Sequence, residues 1–284
     1  MRNKAEAAAL RGLVETARYE VLPTPTIEDK ILEHLPTDRM LTVTASPAKG
    51  LEATLDLTER LAKQGYAVMP HLAARMVRDK SELAEVSDRL VAAGITAVFV
   101  PAGDKTPPEG EYDAALPLLA DLTALGSPFA EVGITGYPET HPLISDDVTV
   151  QSMWDKRAHA TQIVSNLVFD PAAVDRWLTR MRSRGVGLPV WLGIPGPAER
   201  AKLLTMATKI GVGDSTRFLM KHKGALFRLA APGGFTGERF LENSAPVLAR
   251  PESQVAGLHV FTFNQVAETE QWRQQLLDKL VSGR

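Results

Sequence analysis

Short β-rich hydrophobic runs alternate with longer stretches of helical spacing along most of this chain. Eight such runs can be distinguished, and they occupy residues 18–23, 40–45, 67–73, 97–103, 130–138, 162–169, 190–196 and 258–264. Alternation of this kind is typical of βα units that build a parallel sheet. Because eight units are the number that closes a barrel, the pattern predicts an α/β protein with a (β/α)8 (TIM) barrel fold.

The segments between these runs carry the periodicity and the end signals of helices. Leu83, Val86 and Leu90 recur at helical spacing, and Gly94 follows at a position typical of a helix C-terminus. Asp170, followed by a proline, is typical of a helix start. The predicted helices cover residues 51–63, 81–92, 172–184 and 199–209, with an extra N-terminal helix over 4–16 and one or two further helices within 213–251.

Nothing in the sequence divides the chain into separate domains. It contains no Gly/Ser linker, no low-complexity segment and no repeat beyond the βα period. A doubly wound open sheet is the alternative architecture, but it usually shows a glycine-rich phosphate turn after its first strand. Residues 22–25 stand at that place and read Leu-Pro-Thr-Pro. We therefore expect one barrel domain over residues 1–284.

Composition and charge narrow the functional classes. With 44% hydrophobic and 23% charged residues, the chain has the composition of a soluble globular protein. Its 32 basic and 34 acidic residues give a net charge of -2, which favours a small-molecule ligand over nucleic acid or an anionic membrane. The absence of cysteine excludes disulfides and thiolate chemistry, and we expect no metal site. No run resembles a secretory signal or a membrane span, so we expect a cytoplasmic protein. The sequence gives no indication of the oligomeric state.

Polar side chains fall where the predicted strands end, which in such a barrel is where the active site lies. They are Glu20, Thr44, His71, Asp104, Tyr137, His141, Asn166 and Asn264. Singly they are unspecific, because His71 is equally typical of a buried structural histidine and Asp104 follows Gly103 as in a common turn. Glu20 differs, because helices cover the outside of a barrel and leave its strands no solvent-facing side. We therefore predict that Glu20 points into the barrel.

A series of short motifs follows the predicted strands in order. They read YEVLP at 19–23, LTVT at 41–44, PHL at 70–72, GD at 103–104, GYPETHP at 136–142, VFD at 168–170, GIP at 193–195 and HVFTFN at 259–264. Their sequence and order resemble the methylenetetrahydrofolate reductase family, whose fifth-strand motif YPExHP is closely matched here. The resemblance covers nearly the whole chain, and it implies a barrel oxidoreductase of one-carbon metabolism.

The resemblance also implies a reaction and a set of site residues. The family passes a hydride from NAD(P)H to FAD and on to 5,10-methylenetetrahydrofolate, and Glu20 would be the general acid that protonates N10. A carboxylic acid can do this only while protonated, which an apolar barrel interior favours. Asp104 would be the second catalytic residue. By resemblance, the substrate would contact Glu20, Asn166 and Phe261, and the cofactor would contact Thr44, His71, Gly103, Asp104, Tyr137, His141 and Lys156.

Departures from the family pattern concern the cofactor and the pterin. Ala102 stands where the LRGD motif carries the arginine that reaches the FAD diphosphate, so a bidentate contact is missing. Asn166 replaces a folate-binding glutamine, and residues 154–157 (WDKR) are less regularly basic than the family's LKxK segment. These losses resemble the flavin-independent actinobacterial branch of the family, in which NADH reduces the folate directly. FAD-dependent and FAD-free forms both remain open.

Other functions remain as alternatives. The same chemistry could run oxidatively in a demethylation pathway, because one transition state serves both directions. A folate- or flavin-binding barrel without catalysis is a further alternative, although a binding module has little use for the acid Glu20. A barrel of unrelated activity is the last, since fold alone does not fix function.

Overall fold

The computed structural model describes residues 4–139, 144–197 and 236–282, and they contain eight parallel strands. The strands are β1 (Arg18–Val21), β2 (Leu41–Val43), β3 (Val68–Pro70), β4 (Ala97–Val100), β5 (Glu131–Gly136), β6 (Gln162–Ser165), β7 (Val190–Pro195) and β8 (Val255–Phe261). Their order is β3-β2-β1-β8-β7-β6-β5-β4. A parallel bridge between His71 and Phe99 joins the two outer strands, so the barrel nearly closes. The predicted (β/α)8 fold is confirmed.

Helices cover the outside of this barrel. They are α1 (Lys4–Glu15), α2 (Ile27–His34), α3 (Gly50–Lys63), α4 (Lys80–Ala92), α5 (Ala115–Ala124), α6 (Asp146–Lys156), α7 (Pro171–Ser183), α8 (Gly237–Leu248) and α9 (Val266–Ser282). The predicted N-terminal helix is α1, which packs against α8, α9 and β8. Among the described residues, no helix is long and apolar enough to cross a membrane. The helix predicted over 199–209 lies outside the described residues, as does 213–235.

Helix starts follow the signals in the sequence. The Asp170 side chain accepts a hydrogen bond from the Ala172 amide at 2.9 Å and so caps α7, as the Asp-Pro pair predicts. Asp79 caps α4 in the same way, through the Glu82 amide at 2.9 Å. Because each helix begins after a strand ends, these caps lie toward the carboxyl end of the barrel.

Strand side chains alternate between two cores. Tyr19 and Val21 face outward and are fully buried beneath the helices, and the Tyr19 hydroxyl donates to Glu270 of α9 at 2.7 Å. A second apolar cluster fills the barrel interior, and its buried members are Met69, Ala97, Phe99 and Val164. Trp191 packs against this inner cluster, and Phe99 of the cluster contacts the ring of His71.

At the amino end of the barrel, four inward-facing residues form what we call the amino-end network: Arg18, Glu131, Gln162 and Trp191. The Arg18 guanidinium donates to Gln162 at 2.7 Å and to Glu131 at 3.0 Å, and it lies 3.3 Å from the centre of the Trp191 ring. Gln162 also donates to Glu131 at 2.7 Å. This network joins β1, β5, β6 and β7 at the amino end of the barrel.

Candidate active site

Glu20, on β1, is held in place at the carboxyl end by the chain that follows β8. Its backbone carbonyl accepts hydrogen bonds from the Thr262 amide at 3.3 Å and the Thr262 hydroxyl at 2.6 Å. Phe263 and Asn264 follow with φ of 50° and 59°, a left-handed conformation that is uncommon for residues other than glycine and is often found at functional sites. The Glu20 side chain is 12% exposed. As predicted from the sequence, it points into the barrel.

Two histidines flank the Glu20 carboxyl group, and we call these three residues the carboxyl-end cluster. His259 Nε2 lies 3.0 Å from Glu20 Oε2, and His71 Nε2 lies 3.7 Å from the same oxygen. Burial lowers the pKa of His71 to about 4, although the Glu20 charge opposes this shift. His71 is therefore neutral near pH 7, where its ring packs edge-on against Phe99 at 4.7 Å.

Several polar atoms around this cluster are buried without a protein partner. They are Thr42 Oγ1, Thr44 Oγ1, His71 Nε2 and His259 Nδ1. Thr42 is the register partner of Glu20 on the neighbouring strand β2, and Thr44 follows at the end of that strand. Because buried polar groups are nearly always hydrogen-bonded in folded proteins, this group of unpaired atoms is suited to a polar ligand.

The loop after β4 carries Gly103 and Asp104. Gly103 has a φ of 85°, and a Cβ atom at this position would lie 2.9 Å from the Ala73 Cβ, so this close approach requires glycine. Asp104 is exposed at the mouth. Tyr137 follows the end of β5; burial raises its pKa, a hydrogen bond with Thr135 opposes this shift, and the Asp104 charge adds to it. The structure thus brings Asp104 and Tyr137 to the same end of the barrel as Glu20.

An apolar rim lies beside the polar groups. It consists of the buried Leu167 and Phe169 with the partly buried Phe261 and Phe263. Asn166 precedes this rim, and its Oδ1 accepts a hydrogen bond from the Leu167 amide at 2.8 Å. The Phe261 ring contacts His259 edge-on at 4.9 Å. Phe261 and Asn166, the predicted substrate contacts, therefore lie next to flat hydrophobic surface at the mouth.

Two predicted cofactor contacts are not brought into this group by the described structure. Lys156 is buried and ends α6, only a few residues before β6 begins at the amino end of the barrel. Burial lowers the pKa of Lys156 to about 8, and the neighbouring Asp155 charge opposes this shift. The predicted contact of Lys156 with a cofactor phosphate remains a prediction. His141 lies outside the described residues.

Some polar residues at the strand ends hold the loops together. The Asn264 side chain accepts from the Leu22 amide at 2.8 Å and donates to the Leu22 carbonyl and the Thr24 hydroxyl, both at 3.0 Å. Glu139, within the GYPETHP motif, accepts from the amides of Phe169 and Asp170 at 2.8 and 2.9 Å. These two side chains fix the loops that surround the mouth.

His259 is the residue that the site prediction missed. It opens the HVFTFN motif, and its polar side chain within an otherwise apolar strand was the available signal. The register pairs Arg18 with His259 and Glu20 with Phe261, so both His259 and Glu20 point inward on adjacent strands. Within the described residues, no group of three or more His, Asp or Glu side chains is arranged to hold a metal ion.

The charges on the loop after β4 bear on which cofactor fits. Ala102 carries no charge, and the lysine of this loop, Lys105, is paired with Glu109. The basic side chain of this loop is therefore already paired, and the neighbouring Arg75 donates to the Lys105 and Asp113 carbonyls at 2.7 and 3.0 Å, so the loop lacks the arginine that the family directs at the FAD diphosphate. The unpaired Thr44 hydroxyl and His71 Nε2 do fit a heteroaromatic ring with polar edges, such as nicotinamide.

A parallel eight-stranded barrel with an acid, two histidines and unpaired polar atoms at its carboxyl end defines a TIM-barrel enzyme. The family model for methylenetetrahydrofolate reductase matches residues 31–213, more than half of the chain. The chain therefore belongs to the methylenetetrahydrofolate reductase family. The matched residues include Asp104 and Asn166 but neither Glu20 nor His259. The roles considered for Glu20 and His259 are therefore supported by their positions in the structure and not by this match.

Comparisons with individual proteins agree with this assignment. Methylenetetrahydrofolate reductase 2 of Saccharomyces cerevisiae is 27% identical over 174 residues, which cover 57% of this chain and 26% of the yeast protein. The chain thus spans about a quarter of that curated relative. Oxaloacetate acetylhydrolase (TM-score 0.52, 12% identity, 98% of this chain and 87% of that one) and 2,3-dimethylmalate lyase (TM-score 0.52, 11% identity, 98% and 85%) share the fold. At such low identity they support the barrel alone.

Proposed function

We propose that this protein catalyses the NAD(P)H-dependent reduction of 5,10-methylenetetrahydrofolate to 5-methyltetrahydrofolate, with Glu20 as the general acid. The observation that carries the proposal is the position of the Glu20 carboxyl group. It lies at the carboxyl end of a barrel of this family, mostly shielded from water and flanked by His71 and His259. A site that only bound folate would not need an acid buried among unpaired polar atoms.

Proton transfer from Glu20 accounts for the first chemical step. Opening the imidazolidine ring breaks the bond between the methylene carbon and N10, and N10 must gain a proton to leave as a neutral amine. The Glu20 carboxyl group donates this proton and becomes a carboxylate, while the methylene carbon remains on N5 as an iminium. A reduced nicotinamide supplies the hydride that converts this carbon into the methyl group.

The remaining site residues orient the folate. Asp104, exposed at the mouth, accepts hydrogen bonds from pterin N–H groups. Asn166 directs its amide nitrogen to the pterin, because its Oδ1 is already engaged with the Leu167 amide. Phe261 and the rest of the apolar rim cover a face of the flat ring system.

We infer that the protein works without FAD. Ala102 replaces the family's arginine, Lys105 is paired with Glu109 and Arg75 is engaged with loop carbonyls, whereas a nicotinamide ring needs only the polar atoms of Thr44 and His71. Gly103 and Tyr137 would then border the nicotinamide instead of a flavin. An absorbance spectrum of the purified protein tests this inference, because we expect no flavin band, and stoichiometric bound flavin would contradict it.

The oxidative direction is the second candidate, since Glu20 could accept the N10 proton when 5-methyltetrahydrofolate is oxidised. Anaerobic assays with NADH and methylenetetrahydrofolate, and with NAD+ and methyltetrahydrofolate, measure both directions. We expect NADH oxidation with equimolar methyltetrahydrofolate as product. If the protein binds folate but shows no turnover in either direction, the proposed reaction is wrong and the alternative of a non-catalytic folate-binding barrel is supported.

A further inference from the structure

The two oxygens of the Glu20 carboxyl group have different surroundings. His259 Nε2 lies 3.0 Å from Oε2, and His71 Nε2 approaches the same oxygen at 3.7 Å. Both imidazole contacts therefore involve Oε2. Oε1 takes part in neither of them.

The position of the ring proton on His259 decides what its hydrogen bond does. The His259 side chain is 1% exposed, and its Nδ1 is buried without a partner. If Nε2 carries the proton, it can donate to Oε2 whether Glu20 is protonated or ionised. If Nδ1 carries it, two lone pairs would face each other at 3.0 Å once Glu20 ionises. The Nε2–H tautomer is therefore the one compatible with both states of the acid.

We propose that His259 is a positioning residue whose Nε2–H binds Oε2 of Glu20 and thereby places the transferable proton on Oε1, facing the folate. This inference rests on the proposed role of Glu20 as the acid. After the proton leaves, the same N–H stabilises the carboxylate that forms. His259 itself does not touch the reacting atoms.

Other charged groups near Glu20 do not provide this hydrogen bond. His71 from β3 is neutral near pH 7, because burial lowers its pKa to about 4, and its distance to Oε2 exceeds that of a hydrogen bond. Arg18, one level below on β1, is engaged with Glu131 and Gln162. Asp104, from the loop after β4, is exposed and has no donor to offer while ionised.

A matched pair of substitutions separates the hydrogen bond from packing. In His259→Gln the amide can still donate to Oε2, whereas His259→Leu fills similar space without a donor. We expect kcat of the Leu variant to fall about tenfold to a hundredfold with KM for folate nearly unchanged, and the Gln variant to recover most of the loss. His34→Gln, on the surface of α2, is the control and should behave as wild type.

A second readout needs neither folate nor nicotinamide. Nitrogen NMR of histidine-labelled protein, with His259 assigned by its loss in His259→Gln, should show the Nε2–H tautomer. The Nδ1–H tautomer, equal impairment of the Gln and Leu variants, or full activity of the Leu variant would each overturn the proposal. Equal activity of wild type and Glu20→Gln would instead remove the proposed acid. That result is distinct, because it does not depend on His259.

Discussion

The two ends of the barrel interior carry similar polar side chains but pair them differently. In the amino-end network, Arg18 is bonded to Gln162 and Glu131 and stacked on Trp191. In the carboxyl-end cluster, Glu20 has a hydrogen-bond partner in His259, while His71 Nε2 and His259 Nδ1 have none. The amino-end network thus leaves one buried polar atom unpaired, Arg18 Nε, whereas the carboxyl end leaves two histidine nitrogens and two threonine hydroxyls unpaired.

The different pairing suggests different roles for the two ends: the amino end stabilises the fold, and the carboxyl end binds a ligand. Burial lowers the pKa of Arg18 to about 10, yet its charge is compensated by Glu131, so the network can stabilise the barrel. Leaving a buried donor or acceptor unpaired costs about 1–3 kcal/mol, and the carboxyl end carries several such atoms. A ligand that pairs them would recover this cost on binding. We therefore expect substitutions at the carboxyl end to reduce activity and those at the amino end to reduce stability.

The largest effect is expected for Glu20→Gln, which keeps the shape of the side chain but removes the transferable proton. The reductase kcat should fall by about 10² to 10⁴, the usual contribution of a positioned proton donor. Folate affinity and the free energy of unfolding should change little, because Gln is nearly isosteric. Steady-state kinetics and urea unfolding test this, and an unchanged kcat would remove Glu20 from the mechanism.

Acid should destabilise the carboxyl end through His71. Its pKa is lowered to about 4 in the folded protein, below its ordinary value of 6.5, so the unfolded chain takes up the proton first. Above pH 6.5 His71 is neutral in both the folded and the unfolded protein and causes no loss of stability. As the pH falls from 6.5 to about 4, the unfolded chain binds the proton first, and the free energy of unfolding decreases by about 3 kcal/mol in total. Unfolding by urea between pH 7 and 4 should show a weaker pH dependence in His71→Gln. An identical dependence in wild type and variant would contradict this account.

Arg18→Met should destabilise the barrel without abolishing catalysis. Glu131 and Gln162 keep their mutual hydrogen bond but lose the Arg18 guanidinium, and we expect a loss of about 2–3 kcal/mol because Glu131 is partly solvated. The kcat of the folded variant should remain within about twofold of wild type, because Arg18 is the register partner of His259 but directs its hydrogen bonds to Glu131 and Gln162. A large fall in kcat at unchanged stability would remove the distinction between the two ends.

Ala102→Arg should restore part of a flavin site. A guanidinium that reaches a diphosphate is worth about 1.5–3 kcal/mol, so FAD affinity should rise roughly tenfold to a hundredfold. Ala102→Gln adds similar length without charge and serves as the matched control. Equilibrium titration followed by flavin absorbance measures the effect. Equal affinities for both variants would place any diphosphate away from this loop.

The sequence predicts the strands and the direction of Glu20 because both depend on local patterns. Alternating runs define the strands, and an acid within an apolar barrel strand has only the interior to face. The Glu20–His259 pair was not predictable in this way, because it joins residues 239 positions apart through the register of β1 and β8. Residue type alone also does not distinguish a side chain that contacts a ligand from one that holds a loop. For this reason the sequence groups Asn264 with the site, although its side chain bonds to Leu22 and Thr24.

Transfer of labelled hydride tests the central claim most directly. NADH carrying deuterium at the transferred position is incubated with methylenetetrahydrofolate and the purified protein, and the methyl group of the product is examined by mass spectrometry. Direct transfer at the carboxyl end predicts one deuterium in each methyl group, and almost no product with Glu20→Gln. Unlabelled methyl groups would show exchange with water through a flavin, and the absence of methyltetrahydrofolate with wild-type protein would contradict the proposed reaction itself.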